Sequence, residues 1–276
     1  MKMMRVLMVL FLGMLVQSSL FAQIVNFLIV EKVHDYTQTD NSTTVDATNP
    51  WRFEAHVEGS TLSGIPAPTI TIPSGSGATT MIYNAVGDKW TINTPYATQG
   101  ALDAAYGNGT TYSITARGET ISPISLTGDS YPLAPLATNL SGGTIVGGIL
   151  AWNVAQALTI TITGTADHMG IDVNGMSYNN GIEAFSVGTL TFVVPAASMV
   201  AGNNYTVELN FDNFGGGTLG TVGTGLLTGA QYAGIYNSST QFTIQAIPEP
   251  STYAAILGAV ALGGVMIRRR HLLRAS

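Results

Sequence analysis

Trp51-Arg52-Phe53-Glu54-Ala55-His56-Val57-Glu58 alternates without a break, with Trp51, Phe53, Ala55 and Val57 on one side and Arg52, Glu54, His56 and Glu58 on the other. A period of two belongs to a half-buried β-strand, because successive side chains point to opposite faces of a sheet. The pattern recurs down the chain. Leu158, Ile160 and Ile162 alternate with Thr159, Thr161 and Thr163; Tyr205, Val207, Leu209 and Phe211 with Thr206, Glu208 and Asn210; Phe242 and Ile244 with Gln241, Thr243 and Gln245. The second faces read as wet, and His56 among them as a solvated side chain. Turn signals separate the runs at Pro73-Ser74-Gly75-Ser76-Gly77, Gly107-Asn108-Gly109, Asn174-Gly175 and Gly202-Asn203-Asn204, each rich in residues that tolerate tight backbone conformations. Only residues 99–106 read as a helix, and a short one. Many short antiparallel strands predict an all-β fold of sandwiches or a barrel.

Composition supports strands over disorder. Charged residues are only 9% of the 276-residue chain and glycine is abundant at 32 copies, but disordered chains are poor in the β-branched and aromatic residues that are plentiful here. Between residues 23 and 247 the four bases Lys32, Arg52, Lys89 and Arg117 stand against fifteen of the sixteen acids, a net charge of −11 with histidine neutral. A surface this acidic repels phosphate backbones, so nucleic acid is not an expected partner. There is no cysteine, which excludes disulfides, thiol catalysis, iron–sulfur clusters and cysteine-ligated zinc.

The pattern breaks at residues 130–141, where Pro132 and Pro135 interrupt an uncharged stretch. We therefore expect two domains, 23–130 and 131–246. The second carries Trp152 on an early strand and Tyr205 just after the turn at 202–204; the first offers a similar passage at Gly107-Asn108-Gly109-Thr110-Thr111-Tyr112. A core Trp with a Tyr following a turn resembles fibronectin type III and immunoglobulin-like sandwiches, in which that Tyr makes a corner hydrogen bond to the backbone.

The two ends read as addresses. Lys2 and Arg5 precede the apolar run 6–16, a polar step follows, and Ala22 is a small residue at the expected cleavage point; residues 1–22 are a predicted signal peptide for the Sec export machinery. At the other end Pro248-Glu249-Pro250-Ser251-Thr252 precedes the uncharged run 253–267 and then Arg268-Arg269-Arg270. As a helix that run is about 22 Å long, short of a ~30 Å hydrocarbon core, and the arginines are expected on the cytoplasmic side. Residues 247–276 resemble a PEP-CTERM sorting signal: the motif, a short transmembrane helix and a basic tail. The resemblance implies an exported protein of a Gram-negative exopolysaccharide producer. It would be held transiently in the inner membrane, processed by an exosortase-like membrane protease, and delivered to the cell surface or extracellular matrix.

Chemistry leaves few marks. There is no His-Glu-x-x-His, no Gly-x-Ser-x-Gly and no Gly-x-x-x-x-Gly-Lys, so no catalytic, cofactor-binding or metal-binding residue is assigned. Carboxylate pairs from separate strands leave no local motif and stay open. The stretch 167–175 misses EF-hand spacing, and Asp212-Asn213 reads as another turn. Trp51, Trp90 and Trp152 fall on apolar phases and read as core, leaving Tyr178, Tyr232 and Tyr236 as loop candidates for a binding face. The expected function is a non-enzymatic structural or adhesive surface protein associated with exopolysaccharide. The alternatives are a carbohydrate-binding module and a secreted hydrolase.

Overall fold

The computed structural model describes residues 24–249, except 74–76, 86, 175–180, 186–187 and 217, together with 258 and 260–262. Ala22 and the predicted signal peptide lie outside the described residues, as do Pro250, Ser251, Thr252, Arg268, Arg269, Arg270 and all but four positions of the run 253–267; Pro248 and Glu249 follow the last strand without regular structure. No helix among the described residues is long and apolar enough to cross a membrane.

The chain is all-β, as the alternation predicts. Its first half holds β1 (Ile24–Gln38), β2 (Thr43–Val45), β3 (Trp51–Ser60), β4 (Thr69–Thr71), β5 (Ala78–Thr80), β6 (Ile82–Asn84), β7 (Lys89–Tyr96), β8 (Thr110–Ala116) and β9 (Glu119–Leu126). The second holds β10 (Ala137–Asn139), β11 (Ile145–Val146), β12 (Ile149–Asn153), β13 (Leu158–Thr163), β14 (His168–Asn174), β15 (Gly181–Phe185), β16 (Thr189–Val194), β17 (Asn204–Phe214), β18 (Gly220–Thr221) and β19 (Gln231–Ile247). The expected helix is α1 (Gln99–Ala105), whose first turn is capped by the Thr98 hydroxyl accepting from the Ala101 N–H at 3.2 Å.

One sheet passes through both halves in the order β15-β14-β17-β19-β1-β3-β7-β6. Its centre is the parallel pairing of β1 with β19, running from Phe27 opposite Gln231 to Thr37 opposite Gln241. Two small sheets, β5-β4-β8-β9 and β10-β13-β16, pack against the same face of this large sheet, one over each half. The alternation of β19 shows why they share a face. Tyr236 enters the first core, while Phe242, Ile244 and Ala246, in the same phase, enter the second. The first core is not confined to residues before 130: besides Tyr236 of the last strand it takes Leu227 and Ala230, with Tyr131 and Val222 packed against it. Gln38, 1% exposed, ties the connecting stretch back by accepting from the Ala137 N–H and donating to its carbonyl. Gly234 is required where β9 crosses β19, because a Cβ there would sit 2.0 Å from the Ser125 carbonyl oxygen.

Each core is filled by the predicted phases. Phe53, Ala55 and Val57 are fully buried in the first, and Leu158, Ile160, Ile162, Val207 and Leu209 in the second. Tyr205 makes the corner contact, its hydroxyl accepting from the Val200 N–H at 2.7 Å. Tyr112 does the corresponding thing in the first half, donating to the Gly107 carbonyl, also five residues upstream, at 3.4 Å.

Candidate functional site

The opposite face of the large sheet is where the charge is. Glu54, His56 and Glu58 alternate with the core residues of β3, and Glu208, Asn210 and Asp212 do the same on β17. Register then aligns the strands. Glu31 of β1 lies directly opposite Glu54, Asp212 opposite both His168 and Asn237, and Asp172 opposite Glu208. Arg52 Nη2 reaches across the two intervening strands to 3.8 Å from Glu208 Oε1, and this face is concave. It encloses a recess of about 370 Å³ lined by seven of the sixteen acidic residues, against Arg52 and Lys89 as its only lysine or arginine side chains among the described residues.

The wall from the first half centres on Glu31, Glu54 and His56. Burial, followed by the neighbouring Glu54 and Asp212 charges, pushes the Glu31 carboxyl well above the usual carboxylate range. Glu54 is also buried, which is the largest influence and raises its pKa, but Arg52 together with the Glu31 hydrogen bond, His56 and Lys89 holds it below its ordinary value. Arg52 Nη1 bonds Glu54 Oε1 at 2.5 Å, Asn93 Nδ2 bonds the same oxygen, and Arg52 Nε bonds Asp35 at 2.9 Å. Burial lowers the His56 pKa and keeps the ring neutral.

The wall from the second half is built differently. His168 Nδ1 sits 2.6 Å from Asp212 Oδ2, and Asn237 donates to Asp212 Oδ1 at 2.5 Å. Burial alone would lower the His168 pKa, but Asp212 and Glu183 raise it to about 9, making an ion pair at neutral pH. Asp172 is pushed up to about 6 by burial and then by Glu183 and Glu208. One end of the recess is apolar, with Phe27, Ile29, Phe214, Leu219 and Ile235 packed together and Phe185 half-exposed above them.

Five buried side-chain polar atoms among the described residues lack a hydrogen-bond partner, and three of them line this recess: His56 Nδ1, His168 Nε2 and Asn237 Oδ1. Buried polar groups are ordinarily paired, and these three belong to residues that line one recess. Glu31, Glu54 and His56 each offer a potential ligand atom within 4.8 Å of the others.

No family model and no curated protein matches the chain. Among solved structures it is similar to the FN1–FN3 domains of chicken CNTN1, at 11% identity over 80% of this chain and 67% of that one, with a TM-score of 0.21. It is also similar to a 1.5-MDa bacterial ice-binding adhesin described for host cell surface retention, at 14% identity over 81% and 66%, with a TM-score of 0.21. Likeness at that level carries no argument.

Several sequence expectations change. His56 is not solvated: its side chain is 11% exposed and flanked by Glu31 at 3.6 Å and Glu58 at 3.7 Å. Tyr232 and Tyr236 are not in loops but on β19, packed against the first core, and Tyr178 lies outside the described residues. Asp212 and Asn213 lie within β17, not in a turn. The tryptophans keep their expected place, Trp152 in the second core and Trp51 and Trp90 half-buried against the first, where Trp51 stacks on His34 at 3.6 Å and Trp90 donates to the Leu62 carbonyl. Residues 167–174 do not gather their acids around one point, since Asp167 accepts from the Phe214 N–H while Asp172 lines the recess. One usable signal was in the sequence. In a chain this poor in charge, Glu31, Glu54, Glu58, Glu208 and Asp212 all occupy strand interiors rather than turns.

Proposed function

We propose that this is an exported surface protein, sorted through its PEP-CTERM-like C-terminus by an exosortase-like protease, and that its body binds neutral or amino-bearing polysaccharide in the acidic recess. The observation that carries the reading is the gathering of seven acids in one concave face of a charge-poor chain. Carboxylates accept hydrogen bonds from sugar hydroxyls and attract ammonium groups, and the apolar end led by Phe185 and Phe214 offers a surface for the carbon face of a ring. Acidic polysaccharides are repelled by the same charge. The body binds and does not turn its ligand over. Attachment at the surface then gains strength from many copies acting together.

A carboxyl pair in a cleft also favours a second reading, a secreted hydrolase in which Glu31 and Glu54 share a proton as acidic proteases do. One experiment separates the two. The purified protein is presented with neutral, amino-bearing and acidic polysaccharides while products are followed by mass spectrometry. Binding of the first two without products, weakened roughly tenfold by the rim charge reversal Glu183→Lys, supports the binding reading. Product formation abolished by Glu54→Gln establishes the hydrolase. Mass spectrometry of envelope fractions tests the sorting: mature protein ending near Ser251 is expected, and a dominant species retaining Arg268, Arg269 and Arg270 would overturn it.

A further inference from the structure

We propose that Glu31, Glu54 and His56 bind a divalent first-row transition metal ion, Zn²⁺ or Mn²⁺, in the recess. The inference rests on the recess being the working site of the protein. Glu31 and Glu54 face each other across the β1–β3 pairing, and His56 lies one step along β3 on the same face, opposite Ile29. All three stand on paired strands in the interior of the sheet, which hold side chains more precisely than loops do. Their ligand atoms already lie within 4.8 Å of one another, and His56 Nδ1 is 3.6 Å from Glu31 Oε1. Two ligands on a tetrahedral ion with bonds of about 2.1 Å are about 3.4 Å apart, so rotamer adjustment closes the set.

Two further observations point to a ligand rather than to a bare cluster of acids. His56 Nδ1 is buried with no hydrogen-bond partner. On the same face, Asn237 is 5% exposed and leaves its Oδ1 unpartnered. The orientation of that amide is fixed, because its nitrogen donates to Asp212 and Asn210, both through oxygens. Asn237 is two residues beyond Ile235, the β19 neighbour of Glu31, and so stands on the same face one strand away. Glu54 is held from behind by Arg52 and Asn93, both on Oε1. Outer-shell bonds of this kind orient metal ligands and are felt when removed. The imidazole decides the class of ion: calcium takes six to eight oxygens, whereas mixed nitrogen and carboxylate sets suit zinc and manganese.

The test uses the full-length protein, stripped with chelator and titrated separately with ZnCl₂, MnCl₂, CaCl₂ and MgCl₂ by calorimetry, with Co²⁺ as a visible-absorption probe. We expect one Zn²⁺ or Mn²⁺ per chain, weak or no binding of Ca²⁺ and Mg²⁺, and a Co²⁺ spectrum lost in His56→Gln. Glu31→Gln and His56→Gln should each weaken binding by roughly tenfold or more, while Asp172→Asn, a recess acid outside the set, should change it less than about threefold. No saturable binding overturns the inference, as does Ca²⁺ binding as tightly as Zn²⁺, or an Asp172→Asn loss equal to that of Glu31→Gln. Circular dichroism of each variant separates loss of the site from loss of the fold, and the Co²⁺ spectrum of the unsubstituted protein decides on its own should a variant misfold. Polysaccharide binding by the stripped protein is measured in parallel. If it persists while no metal binds, this inference fails and the function proposed above stands; if metal binds and no polysaccharide does, the reverse holds.

Discussion

The two halves of the molecule place a histidine and carboxylates on facing walls of one recess and arrive at opposite protonation. On the C-terminal wall His168 has Asp212 at 2.6 Å and is charged; on the N-terminal wall His56 has its nearest carboxylates at 3.6 and 3.7 Å and is neutral. The residue types are the same, and direct contact decides. A short charge-assisted bond repays the desolvation of an imidazolium, whereas carboxylates beyond hydrogen-bond range do not. The C-terminal wall thereby pairs its histidine with a carboxylate, although His168 Nε2 and Asn237 Oδ1 stay without partners. The N-terminal wall is left with two carboxyls crowded together and an imidazole nitrogen without a partner, which is why the ligand chemistry is assigned there.

The strongest way to break this contrast is Asp212→Ala. It strands the His168 imidazolium and removes the anchor of the Asn237 amide. Breaking a buried pair by removing one partner costs about 3–5 kcal/mol, so a large drop in the urea midpoint is expected. A change under about 1 kcal/mol would mean that the pair is not formed in the way described.

Next in size is the pH response of the intact protein. The His168 pKa is raised from 6.5 to about 9 in the folded state. The stability it contributes is therefore complete below about pH 6.5 and is lost as pH rises through 9, a change on the order of 3 kcal/mol. Urea midpoints measured from pH 6 to 10 should fall over that window, and Asp212→Asn should flatten the fall. A profile unchanged by that substitution would separate the alkaline loss from this pair.

Glu31→Gln sharpens the comparison from the other wall. In chelator-treated protein at pH 7 it removes a carboxyl that burial and Glu54 hold against ionisation, and it should raise stability by about 1 kcal/mol. Asp212→Asn on the C-terminal wall does the opposite, because it removes the partner of a charged histidine. Destabilisation by Glu31→Gln would show that Glu31 is already neutralised by a neighbour.

These differences explain what the sequence could and could not convey. The alternation of β3 and β17 sorts their residues correctly between two faces, and Phe53, Val57, Val207 and Leu209 go where the period sends them. Periodicity cannot say what lies beyond the polar face. For Glu54 and His56 it is not bulk water but the far end of the same sheet, brought round by the β1–β19 pairing of segments some two hundred residues apart. Strand β1 hides this well. Its run Ile24 to Gln38 mixes both phases with apolar residues, so Glu31 stands among them without a clear alternation. The Glu31–Glu54 contact is a fact of register between strands and has no signature within either.

The smallest expected effect compares the two corner tyrosines. Tyr205 accepts from the Val200 N–H at 2.7 Å, while Tyr112 reaches the Gly107 carbonyl only at 3.4 Å. Removing the hydroxyl of Tyr205 frees a backbone N–H at an exposed residue, where water replaces the partner, so the cost sits at the low end for a hydrogen bond, about 0.5–1 kcal/mol. Tyr112 is fully buried and its ring remains in the core after Tyr112→Phe. The bond it gives up is long, and the carbonyl it leaves also accepts from the Thr110 hydroxyl at 2.6 Å, so the loss should be under about 0.5 kcal/mol. Paired denaturation curves of Tyr205→Phe and Tyr112→Phe decide the matter. The larger loss is expected in the C-terminal half, and equal losses would show that the two corners are energetic equivalents despite their different geometry.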